Sequence, residues 1–126
     1  MQAQPITLYG IRNCDTVKKA REWLDAQQLA YTFHDFKTQG VPPARLDHWL
    51  RQAGWETLLN RKGNTWRKLA PQEQAGATDA AGARALMLAH ASVIKRPVVE
   101  WGAPAAPQVT VGFKADDWQV RIKAGR

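Results

Sequence analysis

The sequence predicts an α/β fold built on a small mixed sheet, and three features predict it: a strand-helix-strand opening, a helical middle and a strand-strand-helix close. The opening begins with ITLYG, Ile6 to Gly10, a short apolar run bounded by Pro5 and Gly10 that suits a buried strand. Val17, Ala20 and Leu24 then recur at spacings of three and four, with Asn13 or Asp15 available as N-cap, which predicts a helix from about Cys14 to Gln28. AYTFHDF, rich in aromatic residues, supplies a second strand through Phe36, and such a unit closes as a parallel pair. In the middle, Leu46, Trp49, Leu50 and Ala53 share one stripe, with Pro42 and Pro43 before it and Gly54 after it. A helix over Pro43 to Ala53 follows. NRKGNTWRKL is polar and carries Gly63, the pattern of an exposed turn rich in positive side chains. From Thr78 to about Ala91 an alanine-rich segment predicts a mostly buried helix capped by Thr78 and weakened by Gly82. PVVEW and QVTVGF read as two strands joined by the hairpin-like GAPAAP, and KADDWQVRI closes with a helix.

A chain of 126 residues, 44% of them hydrophobic, suits a single domain over residues 1–126 whose core needs no covalent staples. One cysteine cannot form an internal disulfide, so a reducing cytoplasm is the expected compartment. No window approaches the ~20 apolar residues needed to cross a bilayer, and neither a membrane nor a targeting segment is expected. The formal charge of +7, from 18 basic and 11 acidic residues, raises the question of a polyanionic partner. The cations are dispersed, however: Lys18, Lys19 and Arg21 in one segment, Arg61, Lys62, Arg67 and Lys68 in another, Lys95 and Arg96 in a third. No zinc-finger spacing, RNA-recognition signature or long basic tract accompanies them, so solvated faces plus a small anion site explain the charge better than nucleic-acid binding. The six tryptophans read chiefly as packing residues.

The chemistry gathers at Cys14. A lone cysteine is by default a small buried hydrophobe. This one lies at a strand-to-helix turn between Asn13 and Asp15, and the apolar helical face begins only at Val17, which places the thiol near solvent. Free amide groups and the positive end of a helix dipole favour a thiolate there, and can bring a cysteine pKa from about 8.5 into the range ~3.5–7.5. A reactive thiol is the expectation. Metal binding is not, because Cys14, His34, His48 and His90 form no close pair at ligand spacing, and nothing in the sequence selects one histidine as a base for the thiol. Taken singly, Arg12, Arg61 and Arg67 are surface charges; together with Arg96 they can line an anion site facing Cys14. Pro97, directly after Arg96, reads as a strand-starting proline.

ITLYGIRNCDTVKKAREWL, GNTWRKL, KRPVV and VGFKADDW run through nearly the whole chain, and together they resemble the arsenate reductase-like (ArsC/Spx/YffB) family of the thioredoxin superfamily, nearest to its YffB-type members. The resemblance implies a thioredoxin-like mixed sheet with a helical insertion after the second strand. It implies that Cys14 is the reactive thiol, that Pro97 is cis and presents backbone beside it, and that Arg96 binds anions at the site. Arg61 falls near the place of a second oxyanion-binding arginine. Where arsenate reductases of this fold read Cys-Gly-Thr-Ser-Arg-Asn-Thr, this chain reads Cys14-Asp15-Thr16-Val17-Lys18-Lys19-Ala20, and the Asp15 carboxylate disfavours an arsenate beside it. Spx regulators and thioredoxins use Cys-x-x-Cys, whereas Val17 stands at the second position here.

Without an internal resolving thiol, an adduct on Cys14 must be released by an external one. The resemblance therefore implies a single-thiol oxidoreductase with glutathione as co-substrate, no tightly bound cofactor, and a small thiol, disulfide or oxyanion as substrate. Arg12, Asn13, Arg61, Arg67, Arg96 and Pro97 are its candidate substrate- or glutathione-binding residues. The alternative is a Spx-type regulator that contacts RNA polymerase without turnover.

Overall fold

The computed structural model describes residues 4–124. In chain order the elements are β1 (Ile6–Gly10), α1 (Asp15–Ala26), β2 (Thr32–Asp35), α2 (Phe36–Gln39), α3 (Pro43–Ala53), α4 (Trp55–Leu58), α5 (Asn64–Lys68), α6 (Pro71–Gly76), α7 (Ala80–Ala89), β3 (Val98–Trp101), β4 (Gln108–Val111) and α8 (Ala115–Ala124). They form two compact units: the residues up to Asp35 with those from Arg96 onward, and Phe36–Lys95.

The first unit holds a four-stranded sheet in the order β2-β1-β3-β4. β1 runs parallel to β2, with Leu8 opposite Phe33 and Gly10 opposite Asp35. It runs antiparallel to β3, with Tyr9 opposite Val98, and β3 pairs antiparallel with β4. The mixed sheet expected from the sequence is thus present. Alternation along the strands sends Ile6, Leu8, Val99 and Trp101 to one face, where they pack against Val17, Ala20 and Leu24 of α1 and Trp118 and Ile122 of α8. Trp118 is the hub: its ring meets those of Phe113 at 4.8 Å, Trp101 at 5.1 Å and Trp23 at 5.8 Å, all edge-on. On the opposite side of the pleat, the Tyr9 hydroxyl donates to Oε1 of buried Glu100 at 3.1 Å, supplying one of the hydrogen bonds a buried carboxylate requires.

Several boundaries in this unit differ from the sequence expectation: β3 begins at Val98 rather than Pro97, β4 ends at Val111 rather than Phe113, and α8 runs on to Ala124. α1 ends at Ala26 rather than Gln28, because Gln28 takes φ +58° and the Leu29 N–H turns back to the Leu24 carbonyl at 3.2 Å, a left-handed closure of the last turn. β2 stops at Asp35, and Phe36 opens α2 instead of ending the strand.

The second unit is helical. α3 occupies the expected span, with Pro43 in its first turn and Gly54 at φ +85° ending it, although only Leu46 and Trp49 of the expected stripe are fully buried. NRKGNTWRKL is not simply a turn: residues 61–63 turn and Asn64–Lys68 are helical. The Asn60 side chain accepts the Lys62 N–H at 3.1 Å to make the turn, and the Gln74 amide donates to the Trp66 carbonyl at 2.7 Å, satisfying an acceptor in the short helix. The alanine-rich helix is capped by Asp79, not Thr78; the Asp79 carboxylate accepts the Gly82 N–H at 2.8 Å. Gly82, which weakens helix propensity, is required by packing, since any Cβ there would collide with the Gly76 carbonyl oxygen. Arg84 Nε donates to Asp47 Oδ1 at 2.6 Å, joining α7 to α3 and holding the Asp47 carboxyl below its ordinary range. That contribution is present above the unfolded-chain pKa and is lost as pH falls through the lowered one. Among the described residues, no helix is long and apolar enough to cross a membrane.

Candidate active site

β1 delivers the chain to Gly10, where a Cβ would lie 2.7 Å from a Val17 methyl; glycine lets the strand end approach the first turn of α1. The Cys14 N–H then donates to the Ile11 carbonyl at 3.1 Å, and the Cys14 carbonyl accepts the first helical bond from Lys18 at 2.9 Å. The N-cap is therefore Cys14 itself, not Asn13 or Asp15, at φ −82°, ψ 126°. Its side chain makes no capping hydrogen bond. The thiol is half-buried, resting on the rim of the aromatic and aliphatic cluster under α1.

The strand register brings a second group to this end of the sheet. With Tyr9 opposite Val98, the segment Arg96-Pro97 that leads into β3 stands at the end of β1 from which the cysteine turn departs. The Arg96-Pro97 bond is cis, as the family resemblance implies. Pro97 is buried and its carbonyl accepts the Gly112 N–H at 2.8 Å, while Arg96 is half-buried with its Nε inside. Arg12 is well exposed, its Nε 3.9 Å from Oδ2 of buried Asp35, and Asn13 is exposed.

Arg12, Asn13, Cys14, Arg96 and Pro97 thus belong to one unit, and the structure gathers them at one sheet end. Arg61 and Arg67 belong to the other unit. There Arg61 is exposed, with its guanidinium 5.3 Å from the Trp55 ring and 6.0 Å from that of half-buried Trp66, and Arg67 lies exposed on α5. The His34 ring lies 5.0 Å from that of Tyr9, tilted by 42°, and His90 Nε2 lies 2.9 Å from Glu73 Oε2. Among the described residues, no group of three His, Cys, Asp or Glu side chains is placed to hold a metal ion.

One group near the thiol escapes a reading of single residues. Arg21 projects from α1 onto Phe33, its guanidinium carbon 4.1 Å from the ring centroid, and its Nε donates to the Tyr31 hydroxyl at 3.0 Å. The signal for it is the spacing of Cys14, Lys18 and Arg21, four and three residues apart, which puts all three on one stripe of α1.

Comparison with known proteins agrees with this architecture. The ArsC family pattern matches residues 9–120. A protein of Haemophilus influenzae carrying no assigned function is 34% identical over 114 residues, covering 90% of this chain and 96% of its own. Among solved structures, a protein named YffB is 46% identical, covers 93% of this chain and 98% of its own, and superposes with a TM-score of 0.84. A protein from Brucella melitensis described as related to arsenate reductase (ArsC) is 45% identical, covers 95% and 96%, and gives 0.71. The arsenate reductase of Vibrio cholerae, at 16% identity, shares the fold with a TM-score of 0.73 over 99% of this chain and 100% of that one. With its family pattern spanning nearly the whole sequence around Cys14 and Pro97, the chain belongs to the ArsC family and carries the thioredoxin-like fold.

Proposed function

We propose that this protein is a cytoplasmic, glutathione-dependent thiol–disulfide oxidoreductase that works through Cys14 alone. The observation that carries the reading is the position of Cys14: a half-buried thiol on the rim of the core at the β1–α1 turn, heading a helix whose cap it does not complete, at the sheet end that Arg96-Pro97 also reaches. A thiolate is the nucleophile in disulfide exchange. Cys14 attacks one sulfur of a disulfide; a new S–S bond forms as the old one breaks, and the departing half leaves with the electron pair as a thiolate that takes up a proton. Glutathione thiolate then attacks the mixed disulfide, restoring Cys14 and carrying the oxidation away as a disulfide. The chain has no second cysteine to perform this step. Arg96 and Arg12 bind carboxylates of the tripeptide, Asn13 adds a polar contact, and the Pro97 backbone aligns the peptide beside the sulfur. Arsenate is disfavoured by Asp15, exposed immediately after the thiol.

Steady-state reduction of a small disulfide, with glutathione varied, tests the assignment. A charge-assisted hydrogen bond to a carboxylate contributes about 1.5–3 kcal/mol, so Arg96→Gln is expected to raise the KM for glutathione by roughly tenfold to a hundredfold with kcat little changed. A KM that does not move removes Arg96 from the site, and a wild-type protein with no glutathione-dependent turnover removes the function.

A further inference from the structure

The corner where α1 meets the edge strand β2 collects positive charge on an aromatic surface. Phe33, opposite Leu8 in the sheet, and Tyr31 are partly buried against the same cluster that Cys14 touches. Two guanidinium groups converge on the Phe33 ring: Arg21 at 4.1 Å and Arg12 at 5.4 Å from its centroid. Arg21 is further anchored over Tyr31 at 5.9 Å and through the 3.0 Å bond from its Nε to the tyrosine oxygen. Cation–π attraction fixes such groups without neutralising them. The carboxylate nearest Arg12 in an ion pair is Asp35, at the long distance of 3.9 Å, and among the described residues none lies within ion-pairing distance of Arg21. The terminal N–H groups of Arg21 therefore remain as a planar fork matched to a carboxylate.

The stack is also within reach of the thiol. Arg21 lies seven residues after Cys14 on the same stripe, about 10 Å along the helix, and Arg12, the other guanidinium over Phe33, stands two residues before Cys14. About three extended residues, at ~3.3–3.6 Å each, cover the same span, the length of a tripeptide or of a short peptide segment around a disulfide. Lys18, on the same stripe between them, adds an exposed cation.

We infer that the Arg12–Phe33–Arg21 stack is a carboxylate-binding subsite that makes Cys14 selective for anionic disulfides. The inference rests on Cys14 exchanging disulfides, as proposed above, and adds the chemistry of the partner: a carboxylate beside the sulfur, from glutathione's own termini or from an acidic side chain flanking a peptide disulfide.

The test is the single-turnover rate of the reduced protein with three related disulfides: dianionic dithiodipropionate, neutral hydroxyethyl disulfide and dicationic cystamine. The anionic-to-neutral rate ratio is expected to exceed the cationic-to-neutral ratio, and to fall about fivefold to tenfold in Arg21→Gln, with partial retention in Arg21→Lys and a smaller loss in Phe33→Leu. Lys19→Gln, which removes an exposed cation from another face of α1, is the control for bulk charge. Equal loss in Lys19→Gln, or an unchanged ratio in Arg21→Gln, overturns the subsite while leaving the exchange chemistry in place. Inertness toward all three disulfides overturns both. The same Arg21 dependence with glutathione disulfide assigns the carboxylate to the tripeptide. Dependence seen only when glutamates replace glutamines around a peptide disulfide assigns it to a peptide partner, and dependence with neither overturns the inference.

Discussion

Cys14→Ser is expected to abolish glutathione-dependent disulfide reduction, by at least about a thousandfold, while the folded protein becomes no less stable. Activity is lost because a neutral hydroxyl does not attack a disulfide sulfur, and no other thiol in the chain can take over. Stability follows from the local structure. Cys14 occupies the N-cap of α1 without a capping hydrogen bond, and serine is among the best residues at that position, where a side-chain cap contributes about 0.5–2 kcal/mol. The substitution is therefore expected to leave the urea midpoint unchanged or raised. A variant that keeps a tenth of the activity would show that the chemistry lies elsewhere; one that loses both activity and fold would show that the sulfur is a packing group.

Trp118→Ala is expected to cost about 3–5 kcal/mol, a large share of the ~5–15 kcal/mol that holds a typical domain together. Trp118 is 1% exposed, and its indole touches the rings of Phe113, Trp101 and Trp23, so removing it opens a cavity that three stiff side chains cannot close. Urea denaturation would show the midpoint falling with the slope retained. Val120→Ala, two residues away at 66% exposure, is expected to change stability by under ~0.5 kcal/mol. Because Cys14 rests on the rim of the same cluster, Trp118→Ala should also alter the exchange rate at conditions where the variant is still folded. A cost below about 1 kcal/mol would mean that α8 does not close this core.

The elements most legible in the sequence are those whose local signals agree with their tertiary setting. α3 has prolines at its start, a glycine at its end and an apolar stripe between, and it occupies the expected residues. The strands follow their apolar runs, and GAPAAP joins an antiparallel pair. Where signals were shared between residues, geometry decided: Cys14 took the cap that Asn13 and Asp15 were equipped to take, because the tight turn from Ile11 ends there. Asp79 displaced Thr78 since its carboxylate reaches the Gly82 amide. The short helices α2, α4, α5 and α6 are too brief to show a period, and interactions such as Gln74 to the Trp66 carbonyl join residues eight apart. The cysteine turn and Arg96-Pro97 were visible as motifs, whereas the convergence of Arg12 and Arg21 on Phe33 depends on α1 lying beside β2 and on the register that faces Phe33 toward them.

Cys14 exchanges with a disulfide and is freed by glutathione, and with glutathione disulfide as the substrate the Cys14 adduct is itself a glutathionyl group that intact mass spectrometry of the folded protein reads. A chain with one cysteine can carry one adduct, so the site needs no mapping. A single glutathionyl group is expected, forming faster on the folded protein than on the urea-unfolded chain, absent from Cys14→Ser and removed by free glutathione. An adduct that forms readily on the unfolded chain but not on the folded one would show that the fold shields Cys14 instead of activating it.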